Sequence, residues 1–275
     1  MSVDLNPQVQ QMADESMVRT LSAQAQAIWP QEVRLFERYG LAPTAAILDV
    51  GCGTGEITSR LAEHFSQAEV LGVDILSQHV EFASQRYASM APRLRFEQGD
   101  AFHLRQPNAR FELTVCRHVM QSVPHPERVL AELVRVTKPG RRVHLLLEDY
   151  EMIHHYPSRL DLTAFWHEVV TGYGAAHQID MTVGRRGWTL CRELGLLDVT
   201  VDYVTVDTVR VARETFAAIL IAWRDGYSQV LSQHTRYSLL EVQARFNELI
   251  ASIQDPRAYV VWQVPIVSAT VPEAR

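Results

Sequence analysis

The chain has 275 residues, of which 21% are charged, and a formal net charge of −6. That length can bury a substantial core without covalent staples, the ordinary composition excludes a low-complexity or disordered chain, and the acidic balance argues against nucleic acid held on a broad basic face. The three cysteines, Cys52, Cys116 and Cys191, are widely spaced with no metal-ligand pattern and read as reduced thiols of a cytoplasmic protein, and no run is apolar enough for a secretion leader or a membrane span.

In chain order, residues 8 to 40 predict two helices broken near Pro30, with Met17, Val18, Leu21, Ala25 and Ile28 recurring at helical spacing. This segment, residues 1–40, reads either as helix packed on the core or as a lid that brings Trp29 or Gln26 to a ligand. Next, Ile47-Leu48-Asp49-Val50 is a short apolar strand that runs into Gly51-Cys52-Gly53-Thr54-Gly55, and helical sequence starts at Glu56. Glycines at alternate positions between strand and helix allow positive φ and let a ligand touch the backbone, and the helix N-terminus offers free amides. The third glycine comes one position too early for a dinucleotide fingerprint, Glu56 would repel a pyrophosphate, and no Gly-Lys-Ser/Thr follows for a phosphate loop.

Ala68 to Asp74 predicts a second strand ending in a carboxylate about twenty residues past the glycine turn, placed to accept ribose hydroxyls or to cap the next helix. Ile75 follows it. A third strand from Leu94 ends in Gly99-Asp100-Ala101-Phe102, where Asp100 is either an acceptor for an adenine amino group, with Ala101 and Phe102 behind the ring, or a turn residue. A fourth strand, Phe111 to Cys116, leads to Arg117 and His118, then to a helix from Pro126 to Val136. A fifth strand, Arg142 to Glu148, follows Lys138-Pro139-Gly140. Polar groups thus recur at the carboxyl ends of successive strands, where open α/β sheets bind ligands.

The stretches ILDVGCGTG, VLGVD, QGDAF, CRHVMQSVPHPERVLAELVRVTKPG and LEDY resemble the successive motifs of class I, Rossmann-like S-adenosylmethionine (SAM)-dependent methyltransferases. The likeness is to the small-molecule type that includes the ubiquinone and menaquinone methyltransferases, and it covers residues 40 to 150. It implies an α/β fold with a seven-stranded, mostly parallel sheet, helices on both faces and an antiparallel last strand. Residues 41–150 would be the SAM-binding core. Residues 151–275 would complete the sheet and add helices that cap the substrate pocket, all in one compact unit. In that family the positions of Asp49, Gly51 and Gly53 hold the methionine portion, Asp74 the ribose, and Asp100 and Ala101 the adenine. Cys52, Ile75, Gly99 and Phe102 beside them are further candidates for contact with the cofactor. Cys116 or Arg117 lines the same pocket. Two departures stand out: Glu112 replaces the usual Asp after Phe111, and Arg141 replaces the second glycine after Pro139.

Beyond Tyr150 the sequence has pattern without motif. Leu162, Phe165, Trp166, Val169, Val170 and Tyr173 share a helical face. Arg185 and Arg186 precede another helix and are expected to serve its start rather than bind a carboxylate. Val199 to Val206 alternates as a strand, two helices follow, and Tyr259 to Val264 forms a last strand closed by Pro265.

Methyl transfer from a sulfonium depends mainly on holding the nucleophile in line, with a general base needed where the nucleophile carries a tightly held proton. The expected catalytic candidates are His118 after the fourth strand and Tyr150, His154 and His155 after the fifth, with Glu148 and Asp149 alongside. No metal is expected, since the spacing of these groups matches no metal motif. The expected partner is a small-molecule acceptor, with no nucleic acid and no membrane, and the chain is expected to be a monomer or homodimer. Two rival readings share the cofactor pocket: a cyclase or isomerase that uses SAM without transferring methyl, and a non-catalytic SAM-binding subunit.

Overall fold

The computed structural model describes residues 6–8 and 13–273. Residues 9–12, at the start of the expected first helix, and the side chain of Met17 lie outside the described set.

Helix α1, Glu15–Glu37, starts at Asp14, whose side chain accepts from the Ser16 amide at 2.8 Å. The break expected at Pro30 does not occur. Pro30 and Gln26, whose carbonyl loses its helical donor to the proline, both face solvent. On the opposite side Ala27, Ile28, Glu32, Leu35 and Phe36 are buried and hold the helix together through packing. Tertiary burial therefore outweighs the local penalty.

Strands β1 (Ala46–Val50), β2 (Glu69–Asp74), β3 (Leu94–Gln98), β4 (Phe111–Arg117) and β5 (Thr137–Leu146) pair in parallel in the order β3-β2-β1-β4-β5. Helices α2 (Glu56–His64), α3 (Ser77–Arg86) and α4 (Pro126–Val136) connect them. On β1, Leu48 and Val50 pack in a cluster with Val129, Leu130 and Leu133 of α4, while Ile47 packs on the other side with Ile57, Leu61 and Phe36. The alternation along one strand thus covers both faces with helix. Glu112, the departure from the family pattern, has the reach to accept from the Ala46 amide at 2.7 Å and to pair with Lys138, so it ties the starts of β1 and β5 to β4.

The remaining strands are β6 (Ile153–Tyr156), β7 (Leu197–Asp207) and β8 (Tyr259–Thr270). The sheet has eight strands among the described residues, one more than expected, because His154 and His155 lie on the short strand β6. The last strand is antiparallel, as expected: β8 pairs antiparallel with β5, β6 and β7. It also runs straight through Pro265. That residue falls between the β6 partners, which end at Trp262, and the β5 partners, which start at Ile266, so on that edge its missing N–H costs no ladder bond.

The further α-helices among the described residues are α5 (Leu162–Glu168), α6 (Gly174–His177), α7 (Gly187–Glu193), α8 (Arg213–His234) and α9 (Leu239–Gln254). Between α5 and α6, Val169–Tyr173 forms a π-turn, which shifts the phase of the helical face. Residues of α1, α5, α8 and α9 share one buried cluster with Val204 of β7 and Trp262 of β8. No described helix is long and apolar enough to cross a membrane.

Candidate active site

Three cavities meet at the carboxyl ends of the parallel strands, and His118 and Leu21 line all three. The first, with about 770 Å³ of empty space, is framed by Gly51, Gly53, Asp74, Ile75, Gly99 and Ala101. The second, about 360 Å³, lies against Asp49, Cys52, Thr54, Glu56 and Arg117. The third, about 620 Å³, is walled by Glu148, Tyr150, Trp166, Val169, Trp223 and Phe246.

The glycine turn has the geometry its sequence demands. Gly51, Gly53 and Gly55 have φ of 76°, 52° and 81°. A Cβ at Gly51 would stand 2.2 Å from Val119 Cγ2, and one at Gly53 would stand 2.7 Å from Leu21 Cδ1. Asp74 Oδ2 accepts from the Gly53 amide at 2.8 Å and Oδ1 from the Leu76 amide at 3.0 Å, so this carboxylate holds the turn while facing the first cavity. Asp49 is buried and accepts from Thr58 Oγ1 at 2.7 Å. Burial pushes its carboxyl up to about 6, against the lowering effect of that hydrogen bond.

The expected cofactor residues divide. Asp49, Gly51, Cys52, Gly53, Asp74, Ile75, Gly99, Ala101 and Arg117 all line the first two cavities. Asp100 is not among the lining residues; its Oδ1 accepts from the Phe102 amide at 2.9 Å. Phe102 turns into the core, with the Arg128 guanidinium over its ring, and Cys116 is also core. Phe102 lies in the turn beyond β3 and Cys116 on β4, and both side chains pack in one buried cluster rather than lining these cavities. On α1, Trp29 packs against Phe36 and His64 and Gln26 is exposed, while Leu21 and Gln24, one turn apart, reach the cavities instead.

Among the catalytic candidates, His118 occupies the junction. It sits just past β4 with φ of 54°, a conformation that side chains rarely adopt and that marks many functional sites. Its Nδ1 is 2.6 Å from Glu148 Oε1. A carboxylate accepts, so Nδ1 carries the proton and Nε2 is left as the acceptor. His118 Nε2 and Glu148 Oε2 are both buried without a partner. Tyr150 lines the third cavity, stacked on Trp166 at 5.9 Å, and burial raises its phenol well above the usual range. His154 and His155 line none of the three cavities, and His154 is exposed.

Glu148, expected only beside the catalytic candidates, is the partner of His118; in the sequence it continues the series of acids at strand ends. Asp149 beside it is buried and held by Arg185, with Nε to Oδ2 and Nη2 to Oδ1 both at 2.6 Å. Arg185 is thus held by a carboxylate of the chain itself rather than serving the start of the next helix, which has no side-chain cap, and Arg186 pairs with Asp180. Among the described residues no group of His, Cys, Asp or Glu is arranged to hold a metal.

Residues 47–140 match a family model described as a methyltransferase domain. The trans-aconitate 2-methyltransferase of Deinococcus radiodurans is 33% identical over 165 residues, which span 58% of this chain and 60% of that protein. The demethylmenaquinone methyltransferase of the same organism is 36% identical over 100 residues, which span 36% of this chain and 42% of that one. The matched stretches thus stop well short of those relatives' full length. Among solved structures, phosphoethanolamine N-methyltransferase 2 of Haemonchus contortus aligns over 98% of this chain and 61% of its own, with a TM-score of 0.62 at 17% identity. The cyclase SpnF aligns over 99% and 98%, also with a TM-score of 0.62 at 17% identity. These two share the fold.

Proposed function

We propose, from the premise that residues 47–140 form a methyltransferase domain of the class I SAM-dependent type, that this protein transfers a methyl group from SAM to a small, partly hydrophobic or aromatic acceptor. One observation carries the reading. The glycine-turn cavities and the aromatic cavity adjoin, and His118, with Glu148 behind it, stands where they meet.

SAM supplies a methyl group already activated on a sulfonium. The chain's own residues fit that molecule: the turn has no room for a Cβ at Gly51 or Gly53, and Arg117 Nη2 is buried without a partner at the second cavity. Arg117 holds the carboxylate of the methionine portion and Asp49 its ammonium, Asp74 accepts from the ribose hydroxyls, and Gly99 and Ala101 lie against the adenine. Helix α1, through Leu21 and Gln24, closes the cavities from above as a lid. The helices within 151–195 and 212–253 cap the acceptor, which is bound in the third cavity through Trp166, Val169, Trp223 and Phe246. His118 Nε2 takes a proton from the acceptor, and Glu148 fixes the imidazole tautomer and stabilises the imidazolium that forms.

Titration calorimetry with S-adenosylhomocysteine, followed by incubation with methyl-labelled SAM and a panel of metabolites, tests this reading. Micromolar binding and a labelled product support it. Tight binding with no product from any acceptor favours the cyclase or partner-subunit alternatives, and NADH binding without S-adenosylhomocysteine binding overturns it.

A further inference from the structure

The wall of the third cavity has a definite electrical character. Among the described residues that line it there is no Lys or Arg. Residues 1–12, some of which lie outside the described set, contain no basic residue either. Its ionisable groups other than tyrosines are Glu148 and His118. Arg117, the nearest guanidinium in sequence, lines the two glycine-turn cavities and is paired with Glu32 at 2.8 Å, and Arg185 is taken up by Asp149. While His118 is the neutral imidazole that a base must be, the cavity therefore carries the charge of Glu148 alone.

A second carboxylate or a phosphate brought into that space would meet a like charge and lose its hydration with no cation to replace it. The Deinococcus radiodurans relative is named for trans-aconitate, and the solved Haemonchus contortus enzyme holds phosphomonomethylethanolamine, each an anion. Such acceptors require a cationic contact that these walls do not offer.

The unmet hydrogen-bonding groups specify what would fit. Glu148 Oε2 and His118 Nε2 are buried acceptors without a donor, and Trp166 Nε1 is a buried donor without an acceptor. A hydroxyl can donate to the first two positions or accept from the third, whereas an aliphatic skeleton would leave all of them unpaired. The aromatic side chains favour a flat ring over a cation. Tyr150 stacks on Trp166 at 5.9 Å and meets Trp223 edge-on at 5.6 Å, and Trp166 meets Trp223 at 6.2 Å. Rings in mutual contact form a continuous wall against which another ring can stack, not an open cage around an ammonium.

We infer that the acceptor is an uncharged, planar aromatic hydroxyl compound and that its oxygen is methylated, an inference that rests on the methyltransferase reading above. The hydroxyl gives its proton to His118 Nε2, and its oxygen forms a bond to the methyl carbon as the carbon–sulfur bond breaks. The electron pair of that bond stays on the sulfur of the departing S-adenosylhomocysteine. The Glu148 carboxylate then faces an imidazolium, so the pair is neutral overall at the moment when charge has moved.

The test uses three compounds of one skeleton, 2-naphthol, 6-hydroxy-2-naphthoate and 6-(aminomethyl)-2-naphthol, titrated by calorimetry into the full chain saturated with S-adenosylhomocysteine. Saturation itself is the control for the underlying reading: if S-adenosylhomocysteine does not bind, the methyltransferase assignment fails first. With it bound, 2-naphthol is expected to bind at least ~10-fold more tightly than the hydroxynaphthoate, because burying an unpaired charge beside a like charge is disfavoured. The Ser122→Lys variant, at a half-buried position shared by the first and third cavities, is expected to reverse that order. Glu148→Gln is expected to narrow the gap, and Ser122→Lys provides a second reading should the Glu148 variant not fold. Equal or tighter binding of the hydroxynaphthoate to the unaltered protein, preference for the aminomethyl compound, or no binding of any of the three would each overturn the proposal.

Discussion

The Arg117 guanidinium donates from Nε to Glu32 Oε1 over 2.8 Å, and the same oxygen lies 3.0 Å from His144 Nε2, whose ring lies tilted against Phe36 and is reached by the Tyr39 hydroxyl at 2.7 Å. This buried group fastens α1 to the tip of β4 and the middle of β5. It thereby fixes the helix that brings Leu21 and Gln24 over the cavities, and it sets the direction of the guanidinium that faces the glycine turn.

That relationship predicts a specific response to acid. Burial pushes the Glu32 carboxyl up, but the Arg117 charge and the His144 hydrogen bond outweigh it and hold the group at about 2. Its folded value is thus below its ordinary value of 4.5. The stabilisation is complete above that ordinary value and is lost as pH falls from there towards 2. At pH 7, Glu32→Leu is expected to destabilise the protein by about 3–5 kcal/mol, because it leaves Arg117 buried and unpaired. Glu32→Leu together with Arg117→Met is expected to recover most of that stability while still losing cofactor affinity. Urea denaturation at several pH values measures both effects, and a single variant as stable as the unaltered chain would refute the account.

Asp49 has the opposite sign. Burial raises its carboxyl from 3.8 to about 6, despite the Thr58 hydroxyl, so its contribution to stability is complete below the lower value and is lost as pH rises through the higher one. Asp49→Asn is expected to stabilise the chain at pH 7 by roughly 1–3 kcal/mol, the scale of such a shift, while weakening S-adenosylhomocysteine binding. In the unaltered protein, affinity is expected to fall as pH drops below about 6, where Asp49 takes up a proton and no longer pairs with an ammonium. Calorimetry from pH 5 to 8 with both proteins distinguishes this from general acid unfolding, because the asparagine variant should show a flat profile.

The parts that were legible in the sequence are those set by local rules. Asp49, Gly51, Gly53 and Asp74 fall where alternation, glycine spacing and strand ends put them. What was not legible depends on partners distant in sequence. Pro30 stays helical because Ile28, Glu32 and Phe36 are buried against other elements. Ile153–Tyr156 becomes a strand only because β8, a hundred residues on in order of magnitude, offers it an edge. The rotation of α1 that selects Leu21 and Gln24 over Trp29 and Gln26 is likewise fixed by packing, and Phe102 and Cys116 are core because they join a cluster drawn from elements far apart in the chain.

The glycine turn offers a test in which sterics and backbone conformation can be separated. Gly51→Ala places a methyl 2.2 Å from Val119 Cγ2 on a residue with φ of 76°. It is expected to weaken S-adenosylhomocysteine binding at least ~10-fold and to cost about 1–2 kcal/mol of stability, since an L side chain at positive φ is strained whatever the space. Adding Val119→Ala relieves the contact but not the φ, so stability should return only in part. Full recovery in the double variant would show that the glycine is needed for room alone.

His118, Tyr150 and His154 are distinguished by kinetics. His118 has a buried, unpartnered Nε2 at the junction of the cavities, so His118→Ala is expected to lower kcat by about 10²–10⁴-fold, the usual range for loss of a general base. His118→Gln should not rescue it, since an amide cannot take the proton. Tyr150 serves as wall rather than base, because burial raises its phenol far from the working range. Tyr150→Phe should therefore leave kcat within about 3-fold, while Tyr150→Ala raises KM for the acceptor through the lost stacking on Trp166. His154 is exposed on β6 and lines none of the cavities, so His154→Ala should change neither parameter. Steady-state rates for the five variants check the assignment, and a collapse of kcat in Tyr150→Phe with His118→Ala still active would move the base from the histidine to the tyrosine.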